Sequence, residues 1–166
     1  APLVNVSLAV DAGFAADVPE KGGLASLTLD LMDDGTATRD TFAIVDELDR
    51  LGASISTAST LDLSLVRLQA LAGQLRPSID VLADVVLRPS FPPDMLKLAV
   101  QRRLALIGQE KATPTTAAVR LVPPMLYGAA HAYGAPLTGS GFEATVSKLT
   151  RDDLVGWHRD WFQPSR

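Results

Sequence analysis

Several residue types that carry common protein chemistry are missing or scarce in this chain of 166 residues. It has no cysteine, which excludes disulfide bridges, thiolate metal sites and cysteine nucleophiles but leaves the cellular compartment open. It also lacks an excess of positive charge, because 15 Lys and Arg residues stand against 19 Asp and Glu residues and the net charge is −4. Since the two signs are interspersed, we expect neither nucleic acid nor an anionic membrane surface as a partner.

Long apolar runs are absent as well. Charged residues and prolines interrupt every apolar stretch well short of the roughly 18 residues that a membrane-spanning helix needs. Ala1 and Pro2 lead straight into a strand pattern, without the basic and apolar regions of a signal peptide. We therefore expect no membrane insertion, and a soluble chain that is an excised piece of a longer protein.

The strand patterns and their order indicate the fold class. Apolar and polar residues alternate from Leu3 to Ala12, which predicts a half-buried antiparallel strand. Two stretches rich in Ser, Thr, Val, Ile and Leu, Ala53–Thr60 and Asp62–Leu71, predict a hairpin. One strand, then helices, a hairpin and further helices is typical of an α+β domain rather than of repeated βαβ units. No repeat or linker divides the chain, so we treat residues 1–166 as a single domain.

The segment from Lys21 to Thr36 is predicted to be a buried helix around which the rest of the chain is organised. Its apolar residues fill an arc of roughly 200° on a helical wheel, and Ser26, Asp30 and Asp33 share the narrow remainder. Gly35 is expected to end the helix.

Helical spacing of apolar residues predicts the other helices. They are expected at Arg39–Leu51 (Phe42, Val45, Leu48), Leu75–Val86 (Ile79, Leu82, Val85, Val86), Asp94–Lys111 (Leu96, Val100, Leu104, Ile107), Thr116–Tyr127, Phe142–Lys148 and a last helix capped by Thr150–Asp153 (Leu154, Trp157, Trp161). In the longest of these, Lys97, Gln101 and Arg103 are expected to face outward. Pro123 and Pro124 predict a kink or an early stop.

A pattern of short motifs carries a family resemblance. The motifs are Ala12-Gly13, Pro19, Gly23-Leu24-Ala25, Gly35-Thr36, Leu51-Gly52-Ala53, Arg88-Pro89-Ser90-Phe91-Pro92, His131-Ala132-Tyr133-Gly134 and the stretch Gly139–Leu154. Together they resemble the pitrilysin/insulinase family of inverted zinc peptidases, which includes the mitochondrial processing peptidases. The resemblance implies an antiparallel sheet with helices layered on it. It also implies a further strand after Ser165-Arg166, without which one sheet edge stays open.

The resemblance also locates the positions of the family's zinc site. Active members carry H-x-x-E-H on the first helix, with two histidine ligands and a glutamate as general base. Aligned without gaps, these positions are Ser26, Leu29 and Asp30, and the third ligand position, about seventy-five residues further on, is close to Leu106. We therefore expect no catalytic residue and no metal or cofactor site in this domain, with zinc held by an active partner half.

Other polar residues offer weaker candidates. His131 and His158 have no second ligand at helical spacing, so a hydrogen-bonded loop histidine and a half-exposed helix histidine are the preferred interpretations. Asp30, Asp33 and Asp34 are expected to form a solvated helix end that faces a cavity, with a weak divalent-cation site, or one shared with the histidines, as the alternative. Ser26 and Ser140 lack the setting of a nucleophile.

The resemblance implies a function for the domain. It predicts a non-catalytic half that shapes a peptide-binding chamber, helps to hold an extended peptide and supports a zinc-bearing homologous half, in the same chain or in a partner subunit. The first alternative is a structural or interaction scaffold without a role in proteolysis, and the second is an independent hydrolase. The absence of cysteine is compatible with a periplasmic or secreted parent.

Overall fold

Three antiparallel strands form the sheet of the domain. In the computed structural model, which describes residues 2–128 and 130–165, they are β1 (Leu3–Val10), β2 (Ser54–Ser59) and β3 (Ser64–Leu71). The order is β1-β3-β2, so β3 pairs with both of the other strands. The predicted hairpin is confirmed. The first strand is shorter than predicted, because the Ala12 amide bonds back to the Val10 carbonyl (2.8 Å) and turns the chain away from the sheet.

The helices cover one face of this sheet. On β3, Val66, Leu68 and Ala70 are buried against the helices, whereas Arg67 and Gln69 are exposed on the opposite face. This alternation is the pattern of an antiparallel sheet with one face in the core and one toward solvent. The α+β class and the layering of helices on an antiparallel sheet are therefore confirmed.

The described residues include seven α-helices and four short 3-10 turns. The helices are α1 (Leu24–Asp30), α2 (Thr41–Leu51), α3 (Leu75–Leu87), α4 (Pro93–Ala112), α5 (Pro114–Tyr127), α6 (Glu143–Val146) and α7 (Arg151–Trp161). The 3-10 turns are Phe14–Ala16, Pro19–Lys21, Ala72–Gln74 and Ala132–Gly134. As predicted, Thr150 and Asp153 form a capping box at the start of α7, and Leu154 and Trp157 of that helix are buried.

Helix α1 occupies the centre of the molecule, as predicted. Its residues 24–29 are all buried, and it contacts β2, α4 and α7. The helix ends at Asp30, before the predicted glycine, and turns carry the chain onward. Gly35 instead lies in an isolated bridge with Asp40, next to the bridge between Thr36 and Pro89. Gly35 therefore belongs to the loop that follows the helix.

The apolar residues whose spacing predicted α2 do not all face the core. Phe42 and Val45 are exposed (85% and 53%), whereas Ile44 is buried and Leu48 is half-buried. This helix carries apolar residues on two sides. The spacing of four between Ile44 and Leu48 is closer to the helical period of 3.6 residues than the spacing of three between Phe42 and Val45, so Ile44 and Leu48 share one face more closely.

Helices α3 and α5 each differ from the prediction in one respect. On α3, Ile79 is exposed, whereas Val81 and Val85 are fully buried. The buried face of this helix therefore includes Val81 and leaves out Ile79. On α5, the helix continues through Pro123 and Pro124 to Tyr127, so it does not stop early. Nowhere in residues 2–128 and 130–165 is a helix both long and apolar enough to cross a membrane.

Candidate functional site

The three positions aligned with the family's H-x-x-E-H motif lie on α1 but have different surroundings. Leu29 is fully buried in the core. Ser26 is 7% exposed, although the sequence pattern placed it on the polar face. Asp30, one turn after Ser26, has a half-exposed carboxylate. Of the three side chains, only that of Asp30 reaches a surface hollow.

A loop from the C-terminal part of the chain covers Ser26. Gly139 lies against it in a left-handed conformation (φ +68°), and a Cβ at that position would stand 2.9 Å from the Ser26 Oγ atom and 2.8 Å from the Phe14 ring. A residue with a side chain would meet both groups at once. The close approach of this loop therefore removes the Ser26 hydroxyl from solvent.

A hollow of about 520 Å³ lies between α1, β2 and α4. Its lining is acidic on the α1 side, basic and apolar on the α4 side, and consists of Asp30, Asp33, Asp34, Thr57, Ala99, Arg102, Arg103 and Leu106. The structure thus brings together two of the predicted family positions, Asp30 and Leu106, with the predicted acidic cluster. The cluster faces a cavity, as predicted.

Arg103 is the residue of this hollow that the sequence interpretation placed wrongly. It was expected to face outward from α4, but its side chain is 11% exposed and forms an ion pair with Asp30. Its second terminal nitrogen lies 3.4 Å from the Gly139 carbonyl oxygen. Arg103 therefore ties α4 to α1 and to the loop over Ser26, because a guanidinium group can serve two acceptors at once.

The charges of the hollow are partly balanced. Burial raises the pKa of Asp33, and the neighbouring charges of Asp34 and Asp30 raise it further. Burial also raises the pKa of Asp34, although the charge of Arg102 acts in the opposite direction. Three carboxyl groups and two guanidinium groups line the hollow. The positive charges of Arg102 and Arg103 therefore offset part of the negative charge that collects at the C-terminal end of α1.

The covering loop is anchored by a buried polar network. The Arg120 guanidinium donates to the Glu110 carboxylate and to Ser140 Oγ (both 2.5 Å), and also to the Gly141 carbonyl oxygen (2.7 Å). Ser140 Oγ in turn donates to Glu110 (2.7 Å). All three side chains are buried. Ser140 is thus a structural hydroxyl that joins the loop to α4 and α5, in agreement with the preference against a nucleophile.

Asp17 holds the start of α1 from outside the helix. Its carboxylate accepts hydrogen bonds from the backbone amides of Gly23 and Ala25, each 2.9 Å long. Burial raises the pKa of Asp17 to about 7, while the amide bonds act against the rise. Gly23 is left-handed (φ +98°), and a Cβ there would stand 3.0 Å from Val146 and 3.2 Å from Gly141. The glycine therefore permits the close approach of the chain at the entry into α1.

The two histidines lie apart from the acidic cluster. His131 Nδ1 accepts from the Tyr133 amide (3.0 Å), and its ring stacks on Tyr127. His158 Nε2 bonds to the Val86 carbonyl oxygen (2.8 Å), and its ring stacks on Phe162. Burial lowers the pKa of His158. His131 is the hydrogen-bonded loop histidine that was preferred, and His158 is a half-buried histidine on a helix, close to the half-exposed setting that was preferred for it.

The family of the chain follows from comparison with known families. The family model for insulinase (peptidase family M16) matches residues 1–132. The chain belongs to this family.

Curated relatives of this M16 chain include a zinc protease and a mitochondrial cytochrome b-c1 complex subunit. The uncharacterized zinc protease YmxG of Bacillus subtilis is 23% identical over 98% of this chain, which spans 39% of YmxG. Cytochrome b-c1 complex subunit 1 is 25% identical over 98% of the chain in Caenorhabditis elegans and 27% identical over 93% in Bos taurus, and the chain spans 34% and 32% of these proteins. The chain thus spans 32% to 39% of the relatives' length.

Solved structures of M16 proteins share the fold. A peptidase M16 inactive domain from Pseudomonas fluorescens superposes with a TM-score of 0.88 at 27% identity, over 95% of this chain and 38% of that protein. A protease from Helicobacter pylori reaches the same TM-score at 16% identity, over 98% of this chain and 39% of that protein. At 16% identity the likeness shows the fold alone.

The side chains at the predicted zinc positions do not fit a zinc ion. Zinc in this setting needs about three nitrogen or oxygen donors that converge on one point. Here the positions present a covered hydroxyl at Ser26, methyl groups at Leu106, and a carboxylate at Asp30 that is bound to Arg103. The guanidinium charge of Arg103 also opposes a second cation at Asp30. Across the part of the chain that the structure describes, no three His, Cys, Asp or Glu side chains converge to hold a metal ion.

Reasoning from the sequence missed Arg103, Arg120 and Asp17. One signal pointed to Arg103, namely its place one turn before Leu106 on the same helix, since Leu106 lines the hollow beside Asp30. No sequence pattern pointed to Arg120 or Asp17, because the partners of Arg120 lie 10 and 20 residues away and Asp17 binds backbone amides six and eight residues further on, which no side-chain pattern marks.

Proposed function

We propose that residues 1–166 form a domain of the non-catalytic half of a larger zinc protease. Its role would be to shape the chamber in which an extended peptide is held, and to support a homologous half that carries the zinc ion. The active half is a second domain of the same chain or a partner subunit. Catalysis belongs to that half, and this domain contributes no ligand and no general base.

One sequence pattern carries the proposal: the positions that the resemblance predicts for the zinc ligands and the general base are Ser26, Leu29 and Asp30, with the third ligand close to Leu106, and none of these residues is a histidine or a glutamate. A water molecule at this place would have no base to take its proton, because Leu29 stands at the position of the glutamate. The ion pair between Arg103 and Asp30 adds support. So does the likeness to a structure described as a peptidase M16 inactive domain, at 27% identity.

A reconstitution experiment tests this role. The zinc-bearing half is assayed for cleavage of a fluorogenic peptide with and without this domain, at equal zinc loading. We expect the rate to rise when the domain is added, and to rise less with a variant of the loop over Ser26, such as Gly139→Asp. If the zinc-bearing half cleaves equally well alone, the proposed role is wrong.

A scaffold function is the second candidate, and the likeness to cytochrome b-c1 complex subunit 1 supports it. In that case the domain would serve as a structural or interaction module without a role in proteolysis. The two functions can be distinguished by whether a zinc-binding motif is encoded together with the domain. An intact H-x-x-E-H motif in the same reading frame or in a neighbouring gene favours the protease role, and its absence from both favours the scaffold.

A further inference from the structure

The solvent-facing side of the sheet carries an ordered set of polar side chains. Two rows cross the three strands in register, and they are Asn5, Gln69 and Ser54 in one row and Ser7, Arg67 and Ser56 in the next. These six residues line a hollow of about 320 Å³. Neighbours in a row stand about 5 Å apart, so their side chains can act together on one ligand.

Arg67 is the only charged residue in this hollow. The remaining lining consists of amides, hydroxyls and Leu68, and no carboxylate contributes to it. Arg67 is exposed, and none of the ion pairs among the described residues involves it. The guanidinium is therefore held on a rigid central strand with its donors available.

The groups around Arg67 complement an acidic ligand. Ser7 and Ser56 flank it on the two neighbouring strands and offer hydroxyl donors. Gln69 donates its amide to Asn5 Oδ1 (3.2 Å), which fixes the orientation of the adjacent row. A planar guanidinium with two hydroxyls beside it matches the two oxygens of a carboxylate.

The row beyond Arg67 is apolar. It consists of Ala9, Leu65 and Ala58, which lie on the same face two residues further along each strand. Two residues of extended chain span about 6.8 Å. An extended peptide that runs along the strands would therefore place alternate side chains on the basic row and on the apolar row.

We propose that this face of the sheet binds an acidic side chain of an extended peptide, with Arg67 as the residue that selects it. The inference rests on the proposed function, because it names the substrate class of the same peptide-holding domain. The preferred sequence carries Asp or Glu, with a small apolar residue two positions away. Arg67 is a specificity-determining residue and takes no part in bond cleavage.

Fluorescence anisotropy with two labelled peptides tests the proposal. The probes are Ser-Val-Ser-Glu-Ser-Val-Ser and the same peptide with Gln in place of Glu, both amidated so that no terminal carboxylate competes. We expect the unmodified 166-residue chain to bind the Glu peptide about tenfold more tightly than the Gln peptide at low salt. In Arg67→Gln the difference should vanish, with affinity for the Gln peptide unchanged.

Arg76→Gln is the matched control, because Arg76 is an exposed arginine on α3 and the net charge changes equally. It should keep the tenfold preference. Equal loss in both variants would show a net-charge effect and overturn the proposal. The same holds if the unmodified chain binds the two peptides alike or binds neither. Unchanged thermal unfolding of Arg67→Gln confirms that the variant is folded.

The peptide-binding experiment and the reconstitution experiment test the Arg67 site and the protease role separately. If Arg67 selects the Glu peptide but the domain leaves cleavage by the zinc-bearing half unchanged, the site stands and the protease role fails. If the domain stimulates cleavage of both peptides equally and Arg67→Gln changes neither rate nor affinity, the protease role stands and the site fails.

Discussion

Asp84 is the most strongly paired carboxylate of the domain. Its side chain is fully buried, and it accepts from the hydroxyls of Thr36 and Thr38 (2.6 Å each) and from Arg39 (2.7 Å). Arg88 lies 2.8 Å away. Burial alone would raise the pKa of Asp84, but these hydrogen bonds and the charge of Arg88 lower it to about 2.

The lowered pKa predicts a loss of stability in acid. Since the pKa is about 2 in the folded state and 3.8 in its ordinary range, the ionised carboxylate stabilises the fold above pH 4 and this contribution is lost as the pH falls toward 2. The change is on the order of 2 kcal/mol. Denaturant unfolding at several pH values measures it. Asp84→Asn should flatten the dependence between pH 4 and pH 2, whereas Asp80→Asn, an exposed residue on the same helix, should leave it intact.

Gly139 allows the loop to lie on Ser26, and its replacement has a predictable cost. Gly139→Ala forces a left-handed alanine and brings its Cβ into the Ser26 hydroxyl and the Phe14 ring. We expect the free energy of unfolding to fall by about 2 kcal/mol. Gly108→Ala is the control, because nothing lies within 4 Å of that position on α4. It should stabilise the protein by about 0.5 to 1 kcal/mol. Equal changes in unfolding free energy for Gly139→Ala and Gly108→Ala would contradict the close contact of Gly139 with Ser26 and Phe14.

At the scale of single residues, the resemblance predicts which positions correspond to the zinc site, but the sequence did not predict the contacts that the structure shows there. Ser26, Leu29 and Asp30 follow from a local motif on one helix. Arg103 could not be assigned to Asp30 in the same way, because the two residues are 73 positions apart and only the packing of α4 on α1 brings them together.

Between elements, the buried network of Glu110, Arg120 and Ser140 joins α4, α5 and the loop over Ser26. Glu110→Ala leaves the Arg120 charge buried without its partner, so we expect a loss of about 3 to 5 kcal/mol in unfolding free energy. The double variant Glu110→Leu with Arg120→Met should recover most of it, because no buried charge remains. Lys111→Ala, which removes an exposed pair with Glu143, should cost less than about 1 kcal/mol. A double variant as unstable as Glu110→Ala would contradict this account.

The contact between α1 and α4 depends partly on Arg103 and Asp30. A double-mutant cycle with Arg103→Gln and Asp30→Asn isolates their interaction. Because Asp30 is half-exposed, solvent screening limits the coupling energy to about 0.5 to 1 kcal/mol. The exposed pair of Arg50 and Asp46 serves as the reference and should show less. A coupling energy of zero for Arg103 and Asp30 would mean that the guanidinium does not hold the two helices together.

Elements with local signals were predicted well, and their faces less well. The hairpin and the capping box of α7 depend on residues within a few positions of one another, so the sequence specifies them. The inward face of α2 depends on which of two apolar sides meets the core. Phe42 and Val45 formed a regular pattern, but Ile44 is the residue that is buried. Only tertiary packing decides between the two sides.

For the whole molecule, the chain shares the M16 fold, and we expect the residues of the zinc site to be replaced in it. The core around α1 and the sheet stay closely similar to an M16 inactive domain. In place of a ligand set, the hollow between α1 and α4 contains an ion pair and apolar side chains. The central claim is therefore that this domain binds no zinc of its own and depends on another half for chemistry.

Zinc content per chain tests that claim most directly. The domain is incubated with excess zinc, desalted and analysed for metal, beside a zinc-bearing M16 domain treated in the same way. We predict a ratio near zero for this chain and near one for the reference. One zinc ion per chain would contradict the account, and it would direct attention to Asp30, His131 and His158 as ligands of an unforeseen site.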